Sequence, residues 1–600
     1  MNSKTIAELF VTTTNNYFRS SKPVYRYKQH SQYVNVSFST LRSDVEQFAF
    51  SLYSLGLKKG ETVALISENR YEWIVADFAL SCLGIISVPL YTTVTPAQIE
   101  FILNDCNASA VIVSNQMQWG KVAKILPNCL NIRHCIALNV LDAEHQLLHS
   151  FDELLHTTFL SLTKEDFLHT WFESTSLEVR ENDILTLIYT SGTTGEPKGV
   201  ILSNKNIISN IRSILEVITV TFDDVFLSYL PLAHAYERTT GYYASFASGA
   251  TTVFAESIET VATNIRETNP TILTSVPRLF DKIRDKMEKA FEKESKSKQQ
   301  LIQRALSIGL EYFFQSQQDS VSTLLQLKYR LAEQFVLSKL RKKLSPTIRL
   351  FVSGGASLSQ KSAEFFLGMG YMILEGYGLT ESSPVLSVNR PYDIEIGAVG
   401  KALHGVEIKL GEDGEILARG ENIMIGYHNR PEDTKKTIID GEWLATGDIG
   451  QWTDRGNLKI IDRKKNLIIS KGGKNIAPQP IEQKIAELPI VDQIVIIGDN
   501  QEYCVALIVP EFSELQSIAT ELAIEKLPIE QLIEHPAIHQ YISKLINLQQ
   551  KDFSKYERVR KFALLSEPFS IESGELTPKL SIKRSVVEKK YKNKIESLYL

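Results

Sequence analysis

One stretch of the chain, residues 189–200, carries side chains suited to holding a polyphosphate. Its glycines allow backbone N–H groups to approach an anion closely, its hydroxyls add hydrogen-bond donors, and Lys198 adds a positive charge. It is not a Walker A loop, because no Gly-Lys-Ser/Thr occurs at that spacing and a strand pattern follows. A mobile surface hairpin is the alternative interpretation of such a loop. The candidate phosphate-binding residues are Thr190, Ser191, Gly192, Thr193, Thr194, Gly195 and Lys198.

The elements that position this loop are predicted from the residues around it. Residues 183–188 and 200–202 are rich in aliphatic and β-branched side chains, which predicts a strand on each side of the loop. Ser203 and Asn204 then predict the cap of a helix.

Four later β-rich runs, at residues 225–230, 271–276, 348–352 and 371–374, each lead into an unusual loop. Between the last two runs, a helix is expected to begin near Ser357. Ligands of open α/β sheets bind beyond the carboxyl ends of the strands. If these strands are parallel, their loops share one rim of a sheet. The loop residues that could bind a ligand there are His234, Gly354, Gly355, Ala356, Gly376, Tyr377, Gly378, Thr380 and Glu381.

Length and composition limit the class of protein. Six hundred residues are too many for one hydrophobic core, so at least two domains are expected. A net charge of −5 gives no reason to expect a nucleic-acid partner. The five cysteines are scattered and lack metal-ligand spacing, which favours a reduced, cytoplasmic protein without disulfides. Neither a signal peptide nor a transmembrane segment is predicted, since the apolar run at residues 74–88 contains Asp77.

Alternating helix and strand patterns predict an α/β fold. We expect a large N-terminal α/β domain with mixed sheets, residues 1–461, whose last part is a small β subdomain. A small, mobile C-terminal α/β domain of residues 462–600 follows. A charged helical insertion at about residues 281–345 is interpreted as a solvated helix face, with weak contact to anionic lipid headgroups as the alternative.

Several motifs occur in an order that resembles the AMP-forming acyl-CoA synthetases of the adenylate-forming ligase superfamily. Residues 189–200 resemble the phosphate loop of that family almost letter for letter, and Leu-Pro-Leu-Ala-His at 230–234 resembles its histidine loop. Residues 353–356 and 375–381 resemble its adenine-binding loops, and 446–448 resemble its ribose-binding motif. The resemblance spans roughly residues 35–590. It is strongest to the long-chain fatty-acid group, through residues 276–278, the helical insertion, 471–478 and 574–578.

The resemblance implies two half-reactions and a role for each motif. A fatty-acid carboxylate attacks ATP to give an acyl-adenylate and pyrophosphate, and coenzyme A then displaces AMP. The hydroxyls of the phosphate loop would hold the β- and γ-phosphates with Lys198, and Glu381 and Thr194 would bind Mg²⁺. Thr380 would contact the α-phosphate, Tyr377 would stack on adenine, and His234 would lie near the acyl and AMP groups. Asp448 would bind the ribose hydroxyls with support from Arg463.

For four of these residues, a purely structural role is the alternative to the functional one. Asp448 could be a turn residue and His234 a satisfied loop histidine. Tyr377 could belong to the core, and Glu381 could be a charge at a helix N-terminus.

The C-terminal part departs from the family pattern at one position. The family lysine that assists adenylation stands three residues before an arginine, but counting back from Arg584 gives Ser581. We therefore hypothesise that Lys579 takes this role, the alternative being that Lys579 and Lys583 are surface lysines. The resemblance further implies a hinge at Lys465 and a loop at Lys471, Gly472 and Gly473 that approaches the pantetheine thiol.

Two other functions remain open from the sequence. An acyl-acyl-carrier-protein synthetase, or a stand-alone adenylating enzyme, would share the first half-reaction. A nucleotide-sensing protein with a decayed site is supported by Ser581 and opposed by the intact phosphate loop and by Glu381. Acyl chain length, oligomeric state and membrane attachment are not determined by the sequence.

Overall fold

The computed structural model describes residues 2–156, 165–191, 196–318, 320–570, 573–576 and 582–600. The chain divides into two compact units. The first comprises residues 1–409, 417–446 and 452–458, and the second comprises residues 410–416, 447–451 and 459–600. The division therefore passes through the region of short strands between residues 406 and 463. The predicted boundary at Asp462 stays a prediction.

The first unit contains two large sheets within the described ranges. The nine-stranded sheet has the spatial order Lys401–Ala402, Val385–Val388, Met372–Gly378, Leu350–Ser353, Ile272–Ser275, Val225–Ser228, Thr251–Phe254, Tyr25–Gln29 and Gln32–Val36. The eight-stranded sheet has the order Gly426–Tyr427, Pro197–Ser203, Ile184–Ser191, Ile86–Leu90, Thr62–Ile66, Ala110–Val113, His134–Ala137 and Leu148–Ser150. Parallel pairs make up the centre of both sheets and antiparallel pairs occur toward their edges, so the predicted mixed α/β class is confirmed.

The four strands predicted to share a rim do so. Val225–Ser228, Ile272–Ser275, Leu350–Ser353 and Met372–Gly378 are parallel neighbours in the nine-stranded sheet. Their central residues are buried, as expected of parallel strands covered on both faces. The four loops that follow them therefore leave the sheet at the same edge.

Helices cover the sheets of the first unit. The described α-helices are Ile6–Tyr17, Phe38–Ser54, Tyr71–Cys82, Pro96–Asp105, Gln116–Ile125, Phe151–His156, Glu165–Leu177, Asn204–Val217, Ala244–Ala247, Val261–Thr268, Pro277–Glu292, Lys296–Ser316, Thr323–Ala332, Ser338–Leu344, Gln360–Gly368 and Pro431–Thr437. π-Helical segments occur at Glu237–Tyr243 and Glu333–Leu337. Short 3₁₀ turns occur at Leu126–Asn128 and Thr380–Ser382.

Two helix starts compare directly with the sequence prediction. The helix Asn204–Val217 begins after a capping box in which Ser203 accepts the N–H of Asn206, as predicted. The helix expected to begin near Ser357 begins instead at Gln360, because Ser359 is the residue whose hydroxyl accepts a backbone N–H and caps it.

The remaining strands lie between residues 406 and 463 or in the second unit. The first group comprises Val406–Leu410, Glu415–Gly420, Ile438–Ile439, Trp443–Trp452 and Leu458–Arg463. The second unit has the strands Ile468–Ile469, Asn475–Ile476, Val491–Ile497, Cys504–Pro510 and Val559–Leu564. Its helices are Pro478–Ala486, Phe512–Glu521, Ile529–Leu532, Pro536–Gln549, Arg584–Lys590 and Lys592–Tyr599, with a 3₁₀ turn at Lys464–Asn466.

None of the helices in these described ranges combines the length and the apolar composition that a membrane span requires.

Candidate active site

The phosphate-loop candidates sit at the end of a β-hairpin. Ile184–Ser191 pairs antiparallel with Pro197–Ser203, and this register places Thr190 opposite Lys198. The two predicted strands are therefore confirmed. Gly192, Thr193, Thr194 and Gly195 lie outside the described residues, as does the side chain of Ser191.

Lys198 and Glu381 both contact one tyrosine, Tyr427: the first lies over its ring and the second at its hydroxyl. The Lys198 ammonium lies 5.4 Å from the centre of the Tyr427 ring, and the Tyr427 hydroxyl donates a 2.8 Å hydrogen bond to Oε1 of Glu381. Lys198 also pairs with Asp433 at 2.9 Å. The hairpin thus meets the Glu381 turn through Tyr427, which lies on the two-residue strand Gly426–Tyr427 paired with Val200 and Ile201.

The turn that carries Glu381 is fixed by backbone hydrogen bonds. Thr380–Ser382 is a 3₁₀ turn after the strand Met372–Gly378, and Thr380 is buried. The carbonyl of Glu381 accepts the N–H of Met424 at 2.8 Å. Burial and the nearby Glu381 carboxylate both raise the pKa of Tyr427, so Tyr427 stays a neutral hydrogen-bond donor.

The glycine residues Gly354 and Gly378 of the two adjacent loops lie where neighbouring protein atoms leave no room for a side chain. A Cβ at Gly354 would lie 2.9 Å from Cζ of Tyr236, and Gly355 has a φ of +81°, which favours glycine. A Cβ at Gly378 would lie 1.8 Å from the carbonyl oxygen of Pro384, which is backbone and cannot move aside cheaply. Gly355 and Ala356 are exposed on the rim.

The other two residues predicted in these loops, Gly376 and Tyr377, lie at the end of the strand Met372–Gly378. Gly376 pairs with Val388, and Tyr377 pairs with Ser387 of the antiparallel neighbour. Tyr377 is half-buried and packs against the core of the unit.

His234 and Tyr236 lie in the loop after Val225–Ser228. Nδ1 of His234 accepts the backbone N–H of Tyr236 at 3.0 Å, so a neutral His234 carries its proton on Nε2. The half-buried ring of His234 lies 6.5 Å from that of Tyr91. The Tyr236 hydroxyl donates to the carbonyl of Val352 at 3.1 Å, which joins this loop to the strand leading to Gly354.

A buried arginine, at the start of the π-helical segment after this loop, reaches the other sheet. Arg238 donates to Thr186 at 2.8 Å and to Ser87 at 2.7 Å, and pairs with the buried carboxylate of Asp77. Thr186 belongs to the strand that leads into the phosphate hairpin. Because an unpaired buried charge is costly, this pairing fixes the segment that directly follows the His234 loop against that strand.

Two buried carboxyls adjoin the site. Burial raises the pKa of Glu237 and of Glu375 to about 7 in each case. Glu237 accepts from the Thr274 hydroxyl at 2.9 Å, and Glu375 accepts the N–H of Leu358 at 3.2 Å. Both are therefore protonated or near their midpoint at neutral pH.

The residues predicted in the second unit form their own group. Arg463 Nε lies 3.0 Å from Oδ1 of Asp448, and Asp448 is buried while Arg463 is exposed. The N–H of Gly447, next to Asp448, donates to Glu415 at 2.9 Å. The paired Asp448 and Arg463 agree with the predicted association of these two residues.

The predicted hinge and thioester-loop residues are exposed in the same unit. Lys465 lies in the 3₁₀ turn Lys464–Asn466, and desolvation and the adjacent Arg463 lower its pKa. Lys471, Gly472 and Gly473 form the turn between Ile468–Ile469 and Asn475–Ile476, where Gly473 has a φ of +71°. Lys579, Ser581 and residues 577–578 lie outside the described residues.

Two family models match the chain. The model described as AMP-binding enzyme matches residues 14–428. The chain belongs to the AMP-binding enzyme family. A second model, the AMP-binding enzyme C-terminal domain, matches residues 465–600. The resemblance seen in the motifs is thereby confirmed.

Curated relatives of this AMP-binding enzyme align over nearly the whole chain. The long-chain-fatty-acid–CoA ligase FadD15 of Mycobacterium bovis is 30% identical, over 94% of this chain and 92% of the relative. The long-chain-fatty-acid–CoA ligase ACSBG2 of Xenopus laevis is 29% identical, over 99% of this chain and 84% of the relative.

Solved structures share the fold. The anthranilate CoA ligase AuaEII, in complex with anthranoyl-AMP, has a TM-score of 0.73 at 21% identity and covers 99% of this chain and 98% of its own. The o-succinylbenzoate coenzyme A synthetase MenE of Bacillus subtilis, in complex with ATP and a magnesium ion, has a TM-score of 0.65 at 21% identity. It covers 96% of this chain and 98% of its own.

Several site residues of this AMP-binding enzyme were not found from the sequence. Tyr427 and Asp433 lie more than 220 positions after the hairpin that they contact. A strand of two residues has no periodicity to detect. The Pro-Glu-Asp at 431–433, a helix start with Pro at its first position, was the one local signal available there.

Proposed function

We propose that the protein is an ATP-dependent, AMP-forming ligase that converts a long-chain fatty acid into its coenzyme A thioester. The observation that carries the proposal is the placement of Lys198 over the ring of Tyr427 and of Glu381 at its hydroxyl, beside the phosphate hairpin. It supplies a cation for phosphate oxygens and a carboxylate for a divalent metal at adjoining positions. Membership of the family and the ligase names of relatives aligned over nearly the whole chain support the same reaction.

The first half-reaction brings two anions together. An oxygen of the fatty-acid carboxylate attacks the α-phosphorus, and the bond from that phosphorus to the bridging oxygen of pyrophosphate breaks. Charge neutralisation and alignment are therefore the main requirements. In this proposal Lys198, with the hydroxyls of Thr190, Ser191, Thr193 and Thr194, holds the β- and γ-phosphates, and Thr380 contacts the α-phosphate.

The residues present fit a magnesium ion. Mg²⁺ in nucleotide sites takes one or two carboxylates together with substrate phosphates and keeps several waters. Glu381 supplies such a carboxylate, held from one side by the Tyr427 hydroxyl. In the proposal Glu381 and Thr194 hold the ion, which supplies positive charge to the triphosphate.

The nucleoside and acyl groups are assigned to the neighbouring loops. Tyr377 stacks on adenine, and the loops that contain Gly354, Gly355, Ala356, Gly376 and Gly378 border the nucleotide. His234 lies beside the acyl and α-phosphate groups, with Nε2–H as its donor. Asp448 accepts hydrogen bonds from the ribose hydroxyls and is oriented by Arg463.

The second half-reaction transfers the acyl group to sulfur. The coenzyme A thiolate attacks the acyl carbon and the bond to the AMP oxygen breaks. We assign Lys465 as the hinge and the turn Lys471–Gly472–Gly473 as the segment that admits the pantetheine thiol. Lys579 is proposed as the lysine of the first half-reaction. Undiminished adenylation by Lys579→Ala, with Lys583→Ala as its control, would contradict that role.

The deciding experiment measures AMP and thioester production from ATP, Mg²⁺ and palmitate, with and without coenzyme A. One AMP per palmitoyl-CoA is the expected result. Pyrophosphate release without a coenzyme A thioester would instead favour a carrier-protein acceptor. No release with any carboxylate would favour a nucleotide-binding protein with a decayed site.

The compartment and the membrane contact are also proposals. The five cysteines are free and buried in the described structure, which suits a reducing compartment such as the cytoplasm. A fatty-acid substrate partitions into bilayers, so we propose a peripheral contact between the helical insertion and a membrane.

A further inference from the structure

The helical insertion carries an apolar face that the rest of the described protein does not cover. Thr323–Ala332, Glu333–Leu337 and Ser338–Leu344 follow one another as a continuous helical segment. On it, four large apolar side chains are exposed, and we call them the exposed stripe. Their exposed fractions are 63% for Leu324, 56% for Leu327, 50% for Leu331 and 57% for Phe335.

The spacing of the exposed stripe places its members on one side of the helix. Successive members are three, four and four positions apart, which is the repeat of a single helix face. The opposite face already supplies the core contacts, through buried residues such as Leu325, Val336 and Leu340. The helix therefore packs against the core without the stripe, and the stripe is an additional apolar face.

Basic residues accompany the exposed stripe. Residues 320–345 contain six lysines and arginines and one acidic residue, Glu333, in a chain whose net charge is −5. Glu333 forms an ion pair with Arg341, whose Nη1 donates to Oε2 of Glu333 at 3.0 Å. The exposed Lys328, Lys339 and Lys342 continue the three- and four-residue spacing of the stripe, so they lie on its face.

The neighbouring helix also carries a net positive charge. Lys296–Ser316 packs beside the stripe-bearing segment through the rings of Tyr312 and Tyr329, stacked at 3.8 Å. Its charged residues are three basic ones, Lys296, Lys298 and Arg304, and one acidic one, Glu311. The surroundings of the stripe are thus basic on both helices.

We propose that the exposed stripe is a docking surface for an anionic lipid bilayer. The proposal deepens the proposed function, because a ligase for long-chain fatty acids meets its substrate in a membrane. Leucine and phenylalanine side chains insert at the boundary of headgroups and acyl chains, while lysines on the same face contact lipid phosphates. The helix lies along the membrane surface and does not cross it.

Charge selects a lipid surface over a second copy of the chain. A two-fold symmetric dimer through the stripe would bring the same surface patch of both copies together. Lys328, Lys339 and Lys342 would then be brought close to the lysines of the partner's patch, and like charges repel. An anionic bilayer accommodates the apolar side chains and the lysines at once.

The test measures binding of the full chain to vesicles by flotation. Phosphatidylcholine vesicles are compared with vesicles that also contain phosphatidylglycerol, at low and high salt. Binding to the anionic vesicles is expected to exceed binding to the neutral ones and to weaken with salt. The variant Leu327→Gln/Leu331→Gln/Phe335→Ser, which we call the stripe variant, is expected to bind at least about tenfold more weakly.

Matched controls separate the stripe from surface hydrophobicity in general. Leu130 and Leu177 are 87% and 69% exposed elsewhere in the same unit, and Leu130→Gln/Leu177→Gln is expected to bind as the unaltered chain does. Lys328→Gln/Lys339→Gln/Lys342→Gln is expected to lose the preference for anionic vesicles. Circular dichroism melting curves check that each variant is folded.

The outcomes distinguish this surface from the proposed reaction. Palmitoyl-CoA formation without vesicles is expected to be unchanged in the stripe variant. Equal vesicle binding by the folded stripe variant and the unaltered chain would overturn the proposal. So would the absence of binding to anionic vesicles, or a lipid-free dimer that the stripe variant abolishes. Vesicle binding by a chain without ligase activity would refute the reaction and leave the surface standing.

Discussion

At the residue scale, the Tyr427–Glu381 hydrogen bond predicts a measurable contribution to adenylation. Tyr427→Phe removes the 2.8 Å donor and keeps the ring beside Lys198. A hydrogen bond to a charged group contributes about 1.5 kcal/mol or more, so pyrophosphate release should slow by about tenfold. The half-saturating Mg²⁺ concentration should rise as well, because Glu381 is less firmly oriented.

Exposed Tyr392 provides the control for that change. Tyr392→Phe should leave both the rate and the Mg²⁺ dependence unaltered. If Tyr427→Phe behaves like this control, Tyr427 does not position Glu381.

Also at the residue scale, Glu237 predicts a pH dependence of stability. Its pKa is about 7 in the folded protein because it is buried, and 4.5 is its ordinary value. The raised pKa means that the folded state binds more protons between these values. The stability that the neutral Glu237 contributes is fully present below about pH 4.5. It is lost as the pH rises through about 7, which lowers the free energy of unfolding by about 3 kcal/mol.

Glu237→Gln tests this assignment. The amide oxygen can still accept from Thr274, but the group no longer titrates. The difference in melting temperature between pH 5 and pH 7.5 should therefore shrink in the variant. Exposed Glu144, replaced by Gln, should keep the full difference. A variant whose melting temperature depends on pH as steeply as before would contradict the raised pKa.

At the scale of elements, the turn that carries Glu381 depends on Gly378. Gly378→Ala would place a Cβ 1.8 Å from the carbonyl oxygen of Pro384, so the pairing of Met372–Gly378 with Val385–Val388 must shift. We expect a lower melting temperature and a loss of adenylation of about a hundredfold, since misplacing catalytic groups by about 1 Å has that effect.

Gly120→Ala is the matched control, because a Cβ at Gly120 meets nothing within 4 Å. Gly120 lies inside the helix Gln116–Ile125, where alanine should stabilise by up to about 1 kcal/mol. Normal activity of Gly378→Ala would show that the loop tolerates displacement and that its glycine is not required.

Elements that carry a local signal could be predicted from the sequence. The hairpin around residues 189–200, the capped helix after Ser203 and the shared rim of four strands were each predicted from residue types and periodicity. The helix start at Gln360 was misplaced by three residues, because several serines near it could serve as the cap. The burial of Glu237 and Glu375 is a tertiary property that no local pattern encodes.

The contacts between distant elements could not be predicted in the same way. Tyr427 reaches Glu381 and Lys198 because a two-residue strand pairs with Val200 and Ile201. For the exposed stripe, the sequence is likewise insufficient. Leucines at helical spacing between residues 324 and 344 indicate a helix, but they do not tell which face of it is covered. Only the packing of Lys296–Ser316 and its neighbours determines that face.

At the scale of the whole molecule, the two half-reactions predict that Lys465 separates two activities. The residues just before Lys465 are anchored within their unit. Lys464 contacts Asp413 and Glu415 at 2.7 Å each, and buried Asp462 accepts the N–H of Gln479 at 2.7 Å. Lys465 directly follows these fixed residues and has an exposed side chain, as a hinge residue can.

Lys465→Pro should block the second half-reaction and preserve the first. Proline fixes φ near −65° and restricts the residue before it, so the backbone of residues 464–465 could no longer change conformation. Pyrophosphate release without coenzyme A should stay near its original rate, while palmitoyl-CoA formation should fall by at least about tenfold. Lys465→Ala removes the same ammonium group without fixing φ, so it should retain both activities. If Lys465→Pro loses both activities equally, or if Lys465→Ala loses thioester formation to the same extent, the backbone at this position is not the hinge.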